Sequence, residues 1–291
     1  MTALPRFLPH PLPPVRYVPE YRAEGRMKAD YEDMKAVLQV PWMGVVTMAY
    51  AHFPHFFETL WSGMRELCGS EDYVDAALRL RGELESAIVA LRPPPIVARL
   101  RTLGYSEIEI DEIRAVPEML SHGNYLYALI TTAARDLLEG GRLGAGATVT
   151  RFRGRHAPAP RVPLVLMEQH HVDAGTRAIY EDIKTTLGLP FVNTDYRALA
   201  RWPSYFALAW ADLRPVVGGK EHESLCQLFH DRAVATTRAL PNPGRLTAAA
   251  LQDAAARDGS PDLLPVVQLF QHLQAGLFVN VAFLRHQLLA D

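Results

Sequence analysis

A chain of 291 residues, 49% of them apolar, carries enough hydrophobic mass to build a sizeable core. Its 30 basic and 32 acidic residues are mixed along the chain and leave a formal charge of -2, so no field builds up that would draw nucleic acid or an anionic membrane. The N-terminus lacks the apolar core of a secretory signal, nowhere do about 18 apolar residues run together, and the two cysteines, Cys68 and Cys226, form no CxxC pair. These features point to a soluble cytoplasmic protein with free thiols and a small-molecule or protein partner.

Residues 1–18 are broken by prolines and predict an extended arm. From Glu20 to Leu38, the residues Met27, Tyr31, Met34, Val37 and Leu38 recur at helical spacing, and Pro41 is placed to open the next helix at its first position. Met43 to Phe53 is apolar nearly all round and predicts a buried helix. Helices follow over Phe56–Leu67 and Val74–Leu91, the prolines at 93 to 95 break the chain, and an isoleucine-rich helix covers Glu107–Ala115. Pro117 then opens a last helix of this half, running through Asn124 to about Leu138. Glycines, arginines and prolines from Gly140 to Pro163 mark a linker, and with no strand before Gly141, Gly144 and Gly146 a dinucleotide loop is not expected. Helices resume over Ala174–Leu187, Pro190–Arg201, Tyr205–Leu213, Glu221–Arg238, Leu246–Arg257 and Leu264–Leu289. Beta-branched alternation is scarce throughout, so the fold class is all-α.

The chain is also written twice. Tyr180 to Arg214 lies without a gap on Tyr31 to Arg65, with about a third of aligned positions identical, which predicts an internal duplication packed as a pseudo-dimer. The expected divisions are an arm and first helical repeat over 1–139, a linker over 140–165 and a second repeat over 166–291. Residues kept by both copies read as scaffold: Trp61 and Trp210 in the core, Arg65 and Arg214 at helix ends, and Glu32, Asp33, Glu181 and Asp182 in matched surface or interhelix contacts. Residues on which the copies disagree are the candidates for chemistry. Asn193, Thr194 and Asp195 replace Gly44, Val45 and Val46, and an acid on a surface the other copy fills with valine costs several kcal/mol unless it is paired or used. When Gly123 is laid on Gly276, Asn124 is polar where its counterpart Leu277 is apolar, so one polar residue from each half could meet in a single cleft.

Other constellations carry less. His222, Cys226 and His230 share one helical face, but the outer two are about 12 Å apart along the axis, too far for one metal to hold all three. Neither HExxH nor GxSxG occurs, so the expectation is no metal, no cofactor and no covalent serine or cysteine nucleophile.

The run Leu189 to Pro203, with TyrGluAspIleLys before it and Trp210 after it, resembles the signature of the group I 2-haloacid dehalogenases, the DehI family; ValProTrp at 40–42 and GlyAsn at 123–124 extend the likeness to the first half. The resemblance implies an all-helical pseudo-dimer that hydrolyses a 2-haloalkanoic acid to a 2-hydroxy acid with inversion. In that scheme Asp195 is a general base for an attacking water, Asn124 holds the water, and no covalent ester forms, so both D and L substrates are expected. Trp42, Val45, Phe191, Thr194 and Phe278 would line the substrate site. Val45 stands where the family carries a larger aromatic residue, and because no tyrosine follows Tyr205, Phe278 stands in the neighbourhood of the family's C-terminal pocket tyrosine. Backbone amides near Asn193 and Thr194 are the expected hold on the substrate carboxylate. The expected partners are a small-molecule 2-haloacid, water and a second copy in a homodimer, with no nucleic acid and no membrane. Two alternatives remain at this stage: a hydrolase of the same fold acting on another small organic acid, and a noncatalytic helical ligand-binding protein.

Overall fold

The computed structural model of the chain describes residues 4–289. It is 64% helical with no strand among the described residues, which is the all-α class the sequence predicts. Helices α1 (Gly25–Leu38), α2 (Val45–Tyr50), α3 (Pro54–Cys68), α4 (Glu71–Ala87), α5 (Val97–Thr102) and α6 (Glu107–Leu138) precede the linker. Helices α7 (Ala174–Leu187), α8 (Thr194–Leu199), α9 (Pro203–Leu213), α10 (Lys220–Ala239), α11 (Ala248–Asp258) and α12 (Leu263–Gln287) follow it.

Two compact units divide the chain. Unit 1 takes residues 1–81, 123–157 and 227–275, and unit 2 takes 82–122, 158–226 and 276–291. Both units draw on both halves of the sequence, and the divisions fall inside α4, α6, α10 and α12 and in the linker.

In unit 1, α11 packs on α3, and the turn that leads into α11 lies against α3 with almost no space between the backbones. A Cβ added at Gly244 would stand 2.1 Å from the Gly63 carbonyl oxygen, and one at Gly63 would stand 2.8 Å from Leu246 Cβ. Glycine at both positions is what permits this approach. Asp258, at the end of α11, accepts from the backbone N–H of His55 and Phe56, so an acidic side chain satisfies the first amides of α3. Under this layer Arg135 is buried to 1% exposure, donating to Gln271 at 2.7 Å and to Glu139 at 3.0 Å. Gln271 in turn donates to His230 Nδ1, and His230 Nε2 donates to the Leu4 carbonyl, which ties the proline-rich arm to the core. Burial and the neighbouring Arg135 charge both hold His230 below its ordinary pKa.

In unit 2, α7, α8 and α9 pack together, and polar clamps hold the segments that join them. Asp212 accepts from Arg99 and from Gln287 Nε2, and Arg285 bridges Glu118 and Glu85 at 2.6 and 2.8 Å. The amide of Ile96 donates to the Gln287 carbonyl, closing the end of α12.

The two stretches aligned in sequence are built alike, each within its own unit. Asp33 accepts from Trp61 Nε1 at 3.0 Å and from Arg65, and Asp182 accepts from Trp210 Nε1 at 2.8 Å and from Arg214 at 2.6 Å. Tyr31 donates to the Val18 carbonyl, and Tyr180 to the Met167 carbonyl. Val18 N–H reaches the Met48 carbonyl, and Met167 N–H reaches the Arg197 carbonyl. Both first helices end on a left-handed residue, Gln39 at φ 51° and Gly188 at φ 64°.

Several expectations need correction. Pro41 and Pro190 open no helix. The chain bends at each of them, and the short helices begin only at Val45 and Thr194, after Gly44 and Asn193. In the first copy Met43 N–H is held by Glu20 Oε1 at 2.9 Å, with Lys35 fixing Glu20, so that amide is satisfied outside any helix. Pro117 does not start a helix either: α6 continues through it for 32 residues. Proline removes one amide and costs about 3 kcal/mol in an isolated helix. Burial of Ile110, Ile113, Val116 and Leu120 on the same helix offsets that cost. The turn-and-a-half α5 is hidden in sequence by the prolines before it. Helix α12 is long and apolar enough to cross a membrane by length and composition, but 78% of its apolar window is buried, as in a core helix.

Candidate active site

The carboxylate of Asp195 sits on the first turn of α8, a six-residue helix of unit 2. The segment leading to it turns at Gly188, bends at Pro190 and Phe191, and enters the helix at Asn193, whose carbonyl accepts from Arg197 N–H. Asn193, Thr194 and Asp195 are 7%, 8% and 2% exposed. A polar triplet is therefore buried where the equivalent residues of the first copy are Gly44, Val45 and Val46.

What aims this turn is Tyr196. Its hydroxyl accepts from Asn280 Nδ2 at 2.9 Å, and Asn280 Oδ1 lies 2.9 Å from His222 Nε2. The amide orientation makes Oδ1 the acceptor, so His222 carries its proton on Nε2 and presents a lone pair at Nδ1. Tyr196, Asn280 and His222 are all buried, and the Tyr196 ring meets Trp210 edge-on at 6.0 Å. Burial raises the Tyr196 pKa, the Asn280 hydrogen bond lowers it, and the nearby Asp195 charge raises it again; the hydroxyl stays neutral. On the far side of α8, Arg197 donates to Glu168 at 2.6 Å and reaches Thr194 Oγ1 at 3.5 Å. Held on both sides, α8 has little freedom to redirect Asp195.

The first-half candidates lie in unit 1. Gly123 is a seat for Trp42: a Cβ there would stand 2.5 Å from the indole Cη2. Asn124 is the next residue on α6, buried at 8% exposure, so the fold brings Trp42 beside the backbone that carries Asn124. Tyr127, one turn on, donates to the Trp42 carbonyl at 2.7 Å, and its ring lies so close to Gly44 that a Cβ there would be 3.2 Å from it. Val45 is half-buried at the start of α2. In unit 2, Phe191 is half-buried in the segment before Asp195, and Phe278 is 2% exposed on α12, two residues before Asn280. A cavity of about 710 Å³ in unit 1, lined by Gln39, Arg65, Phe152 and His156 among others, contains none of these candidates.

The Tyr196–Asn280–His222 chain was not singled out from the sequence. Its signal was available, because Asn280 is the one polar residue in the apolar run Leu277 to Phe283, the same kind of anomaly that marked Asn124.

No family model matches the chain. Over 247 residues, 84% of this chain and 96% of the relative, it is 47% identical to an (R)-2-haloacid dehalogenase of Rhizobium sp. (strain NHG3). Over 282 residues, 94% of this chain and 93% of the relative, it is 35% identical to an (R)-2-haloacid dehalogenase of Pseudomonas putida. Among solved structures, the complex of a D-2-haloacid dehalogenase with L-LA superposes with a TM-score of 0.88 at 32% identity, covering 98% of this chain and 99% of the other.

Proposed function

This chain belongs to the 2-haloacid dehalogenase family, and on that premise we propose that it hydrolyses a 2-haloalkanoic acid to the 2-hydroxy acid with inverted configuration. The observation that carries the reading is the 47% identity over 84% of the chain. Within it, Asp195 is the general base. The ionised carboxylate takes a proton from water as the water oxygen bonds to carbon 2, and the carbon–halogen pair leaves with the halide from the opposite face. A single displacement of this kind inverts the carbon and leaves no ester on the protein. Burial of Asp195 supports the role, since it keeps competing water from the carboxylate, and the pinned α8 supplies its direction. The family resemblance assigns Asn124 the orientation of the attacking water, and its amide can both donate and accept. Trp42, Val45, Phe191, Thr194 and Phe278 are the proposed substrate contacts.

The names of the relatives favour the (R) hand as the faster substrate, and attack by water rather than by the protein leaves the other hand open to a slower reaction. The duplicated, pseudo-dimeric organisation belongs to the same proposal; the matching clasps at Asp33 and Asp182 and the matching helix limits support it. A cytoplasmic homodimer completes the reading.

The deciding experiment is chloride release from each enantiomer of 2-chloropropionate by wild type and a folded Asp195→Asn variant, with a single turnover in H₂¹⁸O. Release from the (R) acid by wild type alone, with label in lactate and none in the Asp195 peptide, is the expected result. Label in that peptide would replace water attack by a covalent ester. No release by wild type would overturn the activity.

A further inference from the structure

Helix α10 carries a second cluster of donor atoms, whose histidine is also the last member of the chain that holds Tyr196. His222 and Cys226 are one turn apart and buried at 3% and 0% exposure, while the neighbouring Glu223 side chain is 47% exposed. His222 Nδ1 lies 3.6 Å from Cys226 Sγ and 3.5 Å from Glu223 Oε1, and the three donor atoms fall within 4.8 Å of one another. A triangle with those edges has its centre about 2.0–2.4 Å from each corner, which is the range of zinc bonds to nitrogen, oxygen and sulfur.

The histidine is also prepared for the task. Asn280, itself held by Tyr196, accepts the Nε2 proton of His222 and leaves a lone pair on Nδ1, the nitrogen that lies near the thiol and the carboxylate. Metal-bound histidines are fixed in this way by an acceptor on the other ring nitrogen. The competitor for Nδ1 is the Gly218 N–H at 3.3 Å, a long bond from a turn residue at φ 77°. His230, on the same helical face, has both ring nitrogens engaged by Leu4 and Gln271 and is not part of the set.

We propose that His222, Glu223 and Cys226 bind one divalent cation of the zinc type, with water as the fourth ligand and the exposed carboxylate as the point of entry. On binding, the Cys226 thiol releases its proton to solvent and the thiolate, imidazole and carboxylate each donate a pair to the metal. A nitrogen, sulfur and oxygen set selects zinc, cobalt or copper over calcium and magnesium, which favour oxygen alone.

The test is a Co²⁺ titration of reduced, chelator-treated protein, followed by thiolate-to-cobalt absorption in the near ultraviolet, with Zn²⁺ as displacing ion. One saturating equivalent, discharged by Zn²⁺, is expected. Cys226→Ala should abolish the band and weaken binding by at least about 100-fold, beyond what loss of an outer partner costs. Glu223→Gln keeps the thiol, changes only a surface side chain and should weaken Co²⁺ by about 10-fold. Absence of a saturable band in wild type, a band that survives in Cys226→Ala, or unchanged affinity in Glu223→Gln would each overturn the site.

Discussion

The α1–α3 segment of unit 1 and the α7–α9 segment of unit 2 share an aspartate that clasps a tryptophan and an arginine, a tyrosine that holds the preceding strand of chain, and a left-handed helix end. They part company at one place. At the start of the short middle helix one has Gly44, Val45 and Val46, and the other has Asn193, Thr194 and Asp195. The scaffold stands with either set, so the fold itself does not require the polar triplet, and the proposed general base is a buried acid that would trade stability for chemistry.

The most severe way to break the comparison is to take from the second copy the charge that the first one lacks. Asp195→Asn is isosteric and removes a buried charge, so it should lower kcat by about 10³-fold or more. The thermal midpoint should hold or rise, because the desolvation cost of the charge disappears. A large fall in the midpoint would make Asp195 structural and support the noncatalytic alternative. Next comes Asn124→Ala, on the other unit. On its proposed role in orienting the attacking water, its loss should cost about 10²-fold in kcat with KM little changed. A change confined to KM would remove Asn124 from the chemical step and leave it a substrate contact.

The difference between scaffold and site also explains what the sequence could disclose. Apolar periodicity placed α7 at both ends and α3, α9, α10 and α12 to within a few residues, because their buried faces repeat at helical spacing. Internal comparison singled out Asp195 as the candidate base, since a charge present in only one of two like settings stands out, and the structure buries it to 2% exposure. Neither method finds contacts made over long separations. Asn280 and Tyr196 meet across 84 residues, and nothing local in either stretch announces the pair. The reach of α6 through Pro117 was hidden for the same reason: the burial that sustains it comes from segments distant in sequence.

The shared clasps give a third, smaller test. Arg65 holds Asp33 below its ordinary pKa of 3.8, and Arg214 does the same for Asp182, each helped by a tryptophan N–H. A depressed folded pKa means that the carboxylate stabilises the fold above that range and loses the contribution as pH falls through the folded value. Asp33→Asn and Asp182→Asn should each cost about 1 kcal/mol or less at neutral pH, because both clasps are partly open to solvent. Their melting curves should converge with wild type as pH drops below 3.8. A gap that persists in acid would show that hydrogen bonding by the neutral amide, not charge, is what the clasp requires.

The finest contrast is at the helix ends. Gly188 takes φ 64° without cost, and a Cβ there would meet nothing, so Gly188→Ala isolates backbone strain and should destabilise by about 1 kcal/mol. Gln39 already bears that strain at φ 51°, and its side chain explains why. Nε2 donates to the Gly154 carbonyl, while Oε1 accepts from the amides of His156 and Ala157. Gln39→Gly should therefore relieve strain yet free the 154–157 stretch, leaving the melting midpoint nearly level while trypsin cuts faster at Arg155. Equal stability with no gain in cleavage would mean that the linker is held by other contacts. It would also mean that Gln39 is simply a less suitable helix end than the glycine its counterpart uses.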